Sequence, residues 1–362
     1  MNKEELINKY EEFAFITSEK DVLKTVKENN MNNNQNLVAA IDLGTAKIVT
    51  ALGKRNENGK VDILGLNEMA SKGIRRGIVL NIEDVVNIIK KSLEDLMVST
   101  GKNVSRVYVG INAQYIKKPF DTFNIQVNNT QFVSNLKHST KNINTCITKA
   151  GLIPNAMVIG LLASSDAVLT SSEKESGVVL IDIGKGTTDI VVYHNNIIRH
   201  MAVIPFGGDL ITRDIKEEFS ISQHQAELLK INYGDAFSDL IKEDSVVSIS
   251  GINEPEPKKI SIKNLAQIIQ WRSLDILDAV ISEIKNSGHI DKLNSGIILT
   301  GGGALLKHLP ELVKFKTGID VKIGFPIQHV TTDSIPKVNH PKYSTSVGLV
   351  LKGFEHMENT LQ

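Results

Sequence analysis

Asp182, Gly184, Lys185, Gly186, Thr187, Thr188 and Asp189 stand in one short stretch, and their types suit a phosphate chain. Glycines let backbone N–H groups come close to an anion, and threonine hydroxyls add donors. The acidic residues can hold a magnesium ion through water or set a hydrolytic water. An ordinary glycine-rich β-turn would carry the same residues. A second copy of the pattern, at Asp42, Gly44, Thr45, Ala46 and Lys47, shifts the balance. A third cluster, Gly301, Gly302 and Gly303, follows an apolar run over 297–300. There a strand turning into a helix exposes N–H groups that favour an anion or a nucleoside edge. Each motif is weak alone. Together, in this order, they point to two similar half-domains facing one phosphate chain.

The surrounding pattern supplies elements to position them. Continuous apolar runs over 178–181 and 38–43 read as strands buried on both faces. Runs over 190–193 and 48–52 resume the chain after each turn, and a third strand is expected over 61–66. A helix is expected over 82–97, capped by Asn81, with Glu83 and Asp84 in its first turn. Arg75 and Arg76 read as a solvated turn before it. A strand over 107–111, a helix over 135–150 closed by Gly151, a strand over 157–160 and a helix over 163–169 complete the first half. Gly207 and Gly208 sit at the start of a helix that runs through Glu218. Glu227 and Lys230, three apart, share a helix face, as either a surface ion pair or a ligand contact. A hairpin over 246–249 and 260–262 turns at 253–257, before a long helix over 265–284. Its Trp271 and Arg272 form either an exposed aromatic–cation contact for a partner or a core Trp beside a solvated Arg. Small residues over 344–348 suit close helix packing.

Bulk properties narrow the class. A chain of 362 residues is long enough for two domains, and 41% hydrophobic with 23% charged residues is a globular composition. Lys plus Arg and Asp plus Glu both number 41, so no net field favours nucleic acid or an anionic membrane. The single Cys146 excludes an intramolecular disulfide, fits a reducing cytoplasm and reads as a small core residue. The histidines show no metal-ligand spacing. No apolar run approaches the ~20 residues of a membrane span, and no signal peptide is visible. Residues 1–36 read as an appendage: a loose helical pattern over 4–26, then an Asn- and Gln-rich joint.

These residues resemble the actin-like ATPase superfamily, an α/β fold with two similar halves around a nucleotide cleft. Within it the chain is most similar to the FtsA family of bacterial division proteins. The phrases that carry the resemblance are VAAIDLGTAK at 38–47, GIRRGIV at 73–79, GLLASSDAVLT at 160–170, VIPFGGD at 203–209, AELLK at 226–230, ILTGGG at 298–303 and YSTSVGL at 343–349. The resemblance implies ATP and Mg2+ as cofactors. Gly44, Thr45, Ala46 and Lys47 would hold phosphate from one side, and Gly184, Lys185, Gly186, Thr187 and Thr188 from the other. Asp42 and Asp182 would support metal-bound waters, and Asp182 or Asp189 would orient the attacking water. Gly207, Gly208, Glu227, Lys230, Gly301, Gly302 and Gly303 would complete the nucleotide site. Lys185 stands where the superfamily usually has glycine, so a positive φ there would strain the turn. Hydrolysis is expected to be slow at most.

By the same resemblance, 1–36 is an N-terminal extension and 37–106 the first part of subdomain 1A. Residues 107–134 are a shortened 1C insert, and 135–175 the rest of 1A. Residues 176–214 open subdomain 2A, 215–289 form the partner-binding 2B, 290–355 close 2A, and 356–362 are a tail. The helix over 163–169 and the segment 343–349 would be the hinges. The implied partner is the C-terminal peptide of FtsZ, with Arg272 at its site. The implied place is the inner face of the cell membrane at the division site, with self-association into filaments. The family's amphipathic membrane helix has no counterpart in 356–362. A pilus-assembly or chaperone-type ATPase and a small-molecule kinase share the fold, but the kinase's catalytic-base signature is missing.

Overall fold

Two strands set the architecture, because each is apolar on both faces except at one aspartate near its end. β1 (Leu37–Leu43) is broken only by Asp42 near its close, and β8 (Val178–Ile183) only by Asp182. The computed structural model describes residues 36–112, 140–249, 257–331 and 336–361. The helical pattern over 4–26, residues 113–134 of the expected insert, the first residues of the helix expected from 135 and most of the turn over 253–257 lie outside them. From Val38 to Gln362 the chain forms one compact unit.

After β1 the chain turns into β2 (Lys47–Arg55) and β3 (Val61–Ala70), then the two-residue pair β4 (Ile74–Arg75) and β5 (Ile78–Val79). Helix α1 (Ile82–Thr100) begins where Asn81 accepts hydrogen bonds from the Glu83 and Asp84 N–H groups. It ends at Gly101 in the left-handed region, one turn beyond the expected stop. Then come β6 (Arg106–Ile111), α2 (Lys141–Lys149), β7 (Ile153–Ile159), α3 (Gly160–Val168) and the short α4 (Ser171–Ser176). Gly160, expected at a strand end, instead opens α3.

The second half repeats the order. β8 returns through β9 (Thr188–His194) and β10 (Ile197–Ile204). Helices α5 (Gly208–Phe219) and α6 (Gln223–Tyr233) follow, then the hairpin β11 (Val246–Ile249) with β12 (Lys258–Ser261) and the long α7 (Ile262–Asn286). β13 (Ile297–Thr300), α8 (Leu309–Thr317) and β14 (Val321–Ile323) come next. β15 (Val330–Thr331) joins the first sheet, and α9 (Ser344–Leu361) closes the fold. Helix α9 runs unbroken through residues expected to form a tail.

The first sheet has the order β15-β3-β2-β1-β6-β7 and the second β10-β9-β8-β13-β14. In each, the aspartate-bearing strand has its hairpin partner on one side and a parallel strand on the other. The halves are one topology used twice, which puts both aspartates at carboxyl ends of parallel strands, where open α/β sheets bind ligands. Helices α3 and α9 pack against each other through small residues. A Cβ on Gly348 would lie 1.9 Å from the Ala163 carbonyl oxygen, so the backbones cross in near contact.

Candidate functional site

Three carboxyl groups gather at the strand ends. Asp42 is in register with Gly110 of β6, and Asp182 with Thr300 of β13. Asp189 lies directly across the β8–β9 ladder from Asp182, so both side chains leave the same sheet face. Loss of water around Asp42 raises its pKa, against the pull of the Lys47 charge. Desolvation, then the charge of Asp42, raises Asp182 to about 6. Desolvation, then the charge of Asp182, raises Asp189 to about 8. The start of α9 reaches the first two. Ser346 Oγ donates to Asp42 Oδ2 at 3.3 Å and Thr345 Oγ1 to Asp182 Oδ2 at 3.5 Å. Among the described residues no three His, Cys, Asp or Glu side chains come together as a direct metal cage.

The two hairpins are built alike. The Gly44 N–H donates to the Lys47 carbonyl at 3.0 Å, and the Gly184 N–H to that of Thr187 at 2.9 Å. Glycine is required here by space rather than by positive φ. A Cβ on Gly44 would lie 2.7 Å from the Lys47 carbonyl oxygen, and one on Gly186 would lie 2.9 Å from Thr45 Oγ1. Gly186 and Thr45 belong to different halves, so the hairpins meet at that point. Lys185 keeps a negative φ, so its side chain causes no backbone strain. Gly301 is the cluster member that does need φ > 0, at 83°, with its α-carbon packed on Asp182 and Ile183.

Several expected ligand residues have defined partners of their own. Thr187 and Thr188 diverge. The Thr188 hydroxyl donates to the Phe206 carbonyl at 2.9 Å in the interior. Gly207 packs on the hairpin, since a Cβ there would lie 2.3 Å from the Gly184 carbonyl oxygen. The Gly208 N–H donates to that carbonyl at 3.0 Å and the Asp209 N–H to that of Lys185 at 2.8 Å. The amino end of α5 therefore holds the hairpin in place. Lys47 Nζ donates to the Lys342 carbonyl at 2.7 Å and lies 3.8 Å from Glu68 Oε2. Burial lowers its pKa to about 8, against the opposing charges of Glu68 and Asp42.

Glu227 and Lys230 are drawn into a network rather than left as a surface pair. Lys230 Nζ donates to Glu227 Oε2 at 2.9 Å, Thr212 Oγ1 at 2.7 Å and the Gly208 carbonyl at 3.0 Å. Burial lowers the Lys230 pKa, against the pull of Glu227. Burial works to raise the Glu227 pKa, but the Lys230 charge and the Thr212 hydroxyl outweigh it and leave it lowered. Trp271 and Arg272 match neither expectation whole. Trp271 is 65% exposed, whereas Arg272 is tied to Asp214 by Nε and by Nη2, and to Asp275 at 3.1 Å.

Sequence reasoning passed over Asn112, just beyond β6, and the pair Glu68 and Lys342 beside Tyr343. Asn112 Nδ2 lies 3.2 Å from Asp189 Oδ2. Lys342 Nζ lies 3.0 Å from Glu68 Oε2, and Lys47 and Lys342 each place Nζ 4.7 Å from the Tyr343 ring centre. The motif YSTSVGL drew attention to Tyr343, but nothing local marks Glu68 or Asn112.

Two repeated α/β halves with aspartate hairpins at facing strand ends make the actin-like ATPase fold. MreB5 of Spiroplasma citri, solved with ADP, superposes with a TM-score of 0.65 over 90% of this chain and 99% of its own, at 17% identity. The family model described as cell division protein FtsA matches residues 179–348. Proteins of that name from Borreliella burgdorferi and Neisseria meningitidis serogroup B are 29% and 28% identical, over 90% and 88% of this chain and 92% and 91% of their own lengths. Over most of its length the chain is thus similar to the FtsA cell division proteins.

Proposed function

We propose that this protein binds ATP–Mg2+ between its halves as a conformational and polymerisation switch, and joins the C-terminal peptide of FtsZ to the membrane at the division site. The approach of Gly186 to Thr45 is the observation that carries the reading, since it brings two phosphate-type hairpins together with Asp42 and Asp182 at their bases. In this reading Gly44, Thr45, Ala46 and Lys47 bind phosphate from one side, and Gly184, Lys185, Gly186 and Thr187 from the other. Thr188, Gly207 and Gly208 hold the second hairpin in shape. Glu227 and Lys230 face the ribose, and Gly301, Gly302 and Gly303 line the nucleoside. Magnesium usually keeps several waters and takes one or two carboxylates plus phosphate, which suits Asp42 and Asp182. Bound there, the ion would neutralise charge on the phosphates. Asp182 and Asp189 orient the attacking water, with turnover below the ~1 per second ordinary for kinases. MreB5, solved with ADP, supports the choice of nucleotide.

Partner binding falls to β11, β12 and α7, where Trp271 is exposed and Arg272 beside it is fixed by Asp214. The protein then works peripherally at the inner face of the membrane, within the septal division machinery. No helix among the described residues is long and apolar enough to cross a membrane. Titration calorimetry with the last residues of FtsZ, with and without ATP–Mg2+, tests the proposal. The expected result is micromolar peptide affinity that disappears in Arg272→Ala while the urea midpoint stays near wild type. Nucleotide binding without peptide binding would leave an actin-like switch with another partner, as in a pilus-assembly system.

A further inference from the structure

The last residue described after β6 reaches from one half of the molecule to the other. Asn112 Nδ2 points to the second hairpin, 3.2 Å from Asp189 Oδ2, 3.5 Å from Asp189 Oδ1 and 3.4 Å from Thr187 Oγ1. It therefore addresses the carboxyl group that stands across the ladder from Asp182. An amide NH2 offers two donors, and a carboxyl group keeps acceptor positions whether or not it carries a proton. Asn112 takes up those on the side of the first half and leaves others for water. The Thr187 hydroxyl also bonds the Asp189 carboxyl, and the Asn112 donor lying against both adds a third point that fixes the pair toward that water.

We propose that Asn112 is a positioning residue for nucleotide hydrolysis, its amide fixing the Asp189 carboxyl and Thr187 hydroxyl so that they hold the attacking water in line. In that step the water oxygen bonds the terminal phosphorus as the bond to the bridging oxygen breaks, the electron pair of that bond leaves with the diphosphate, and both protons of the water leave with the released phosphate. Because Asn112 and Asp189 lie on different halves, the arrangement is complete only when the cleft is closed. Hydrolysis is thereby tied to closure, while binding, which uses the hairpin backbones, is not. The inference rests on the nucleotide reading above.

The test compares wild type with Asn112→Ala, Asn112→Asp and Asn112→Gln, measuring the Kd of a fluorescent ATP analogue with Mg2+ and the single-turnover hydrolysis rate. Misplacing a reacting group by ~1 Å costs up to ~100-fold in rate, so Asn112→Ala and Asn112→Asp are expected to lose about tenfold or more. Their Kd should stay within about threefold of wild type, the split that marks an interaction used in the transition state. Asn112→Gln, with its amide on a longer stem, should recover part of the rate. A wild-type rate in Asn112→Ala, or rate and affinity falling together, would overturn the inference and leave the nucleotide site standing. Wild-type binding without measurable hydrolysis would do the same. A wild type that binds no nucleotide would overturn both.

Discussion

At the scale of single residues, the cleft stores its chemistry as unfavourable charge. Asp182 and Asp189 face each other across a ladder, a placement that is destabilising for like charges. Desolvation and the Asp182 charge raise Asp189 from 3.8 to about 8. A raised pKa means that the folded state keeps a proton the unfolded chain has released. Stability from this group is therefore full below pH 3.8 and is lost as pH rises through about 8. Asp189→Asn removes the titration while keeping the shape. Its urea midpoint should gain on wild type progressively between pH 5 and pH 8, by more than the ~0.5 kcal/mol typical of neutral surface changes. A constant difference across that range would show that Asp189 does not carry the shift. Glu227 shows the opposite balance, since Lys230 and Thr212 stabilise its charged form. Near neutral pH Glu227 is therefore charged and paired with Lys230, whereas Asp189 resists ionisation.

Elements explain what could be read from the chain and what could not. Strands β1 and β8 were legible because a run apolar on both faces admits few other structures, and the aspartate breaking each run marks its end. The hairpin glycines were legible by type but not by cause. A sequence suggests positive φ, whereas Gly44 and Gly186 answer to close approach by Lys47 and Thr45. Asn112 and Glu68 left no local trace, because their partners Asp189 and Lys342 are remote in sequence. The extension of α9 past Phe354 was missed because 356–361 shows no apolar stripe. It is held by Met357 packed on the first-half core, by His356 Nδ1 placed 3.2 Å from the Tyr108 hydroxyl and by Glu358 paired with Arg55. The crossing of α3 and α9 was half legible in the run Ser344 to Gly348. Its tightness makes a sharp prediction. Gly348→Ala forces a methyl group against the Ala163 backbone and should cost at least the ~1–3 kcal/mol of core overpacking, read from urea unfolding. Gly302→Ala, whose Cβ would meet nothing nearer than 4.0 Å, serves as the control and should be close to neutral. Equal losses in the two variants would mean that the crossing is looser than its geometry.

Over the whole unit Val38–Gln362, two like halves are joined by a tight helix crossing at one end and touch through hairpins in the cleft. Such a molecule responds to a ligand only as far as the ligand prefers one arrangement of the halves over another. Phosphate held by both hairpins would prefer the closed arrangement, and Gly186 against Thr45 is where closure is most sensitive to one added group. A side chain at 186 would lie 2.9 Å from Thr45 Oγ1 and 3.0 Å from the Arg76 α-carbon. Gly186→Val should therefore fold, because the wedge, though buried, lies between the halves rather than within either core. It should nevertheless fail to close. Ligand at 100 times its Kd adds ~2.7 kcal/mol to a protein that binds it only when folded, so wild type should gain several degrees in Tm with saturating ATP–Mg2+. The variant should keep its far-ultraviolet circular dichroism and lose most of that gain. If Gly186→Val gained as much as wild type, the two hairpins would not be gripping one phosphate chain, and nucleotide would have to bind to one half alone.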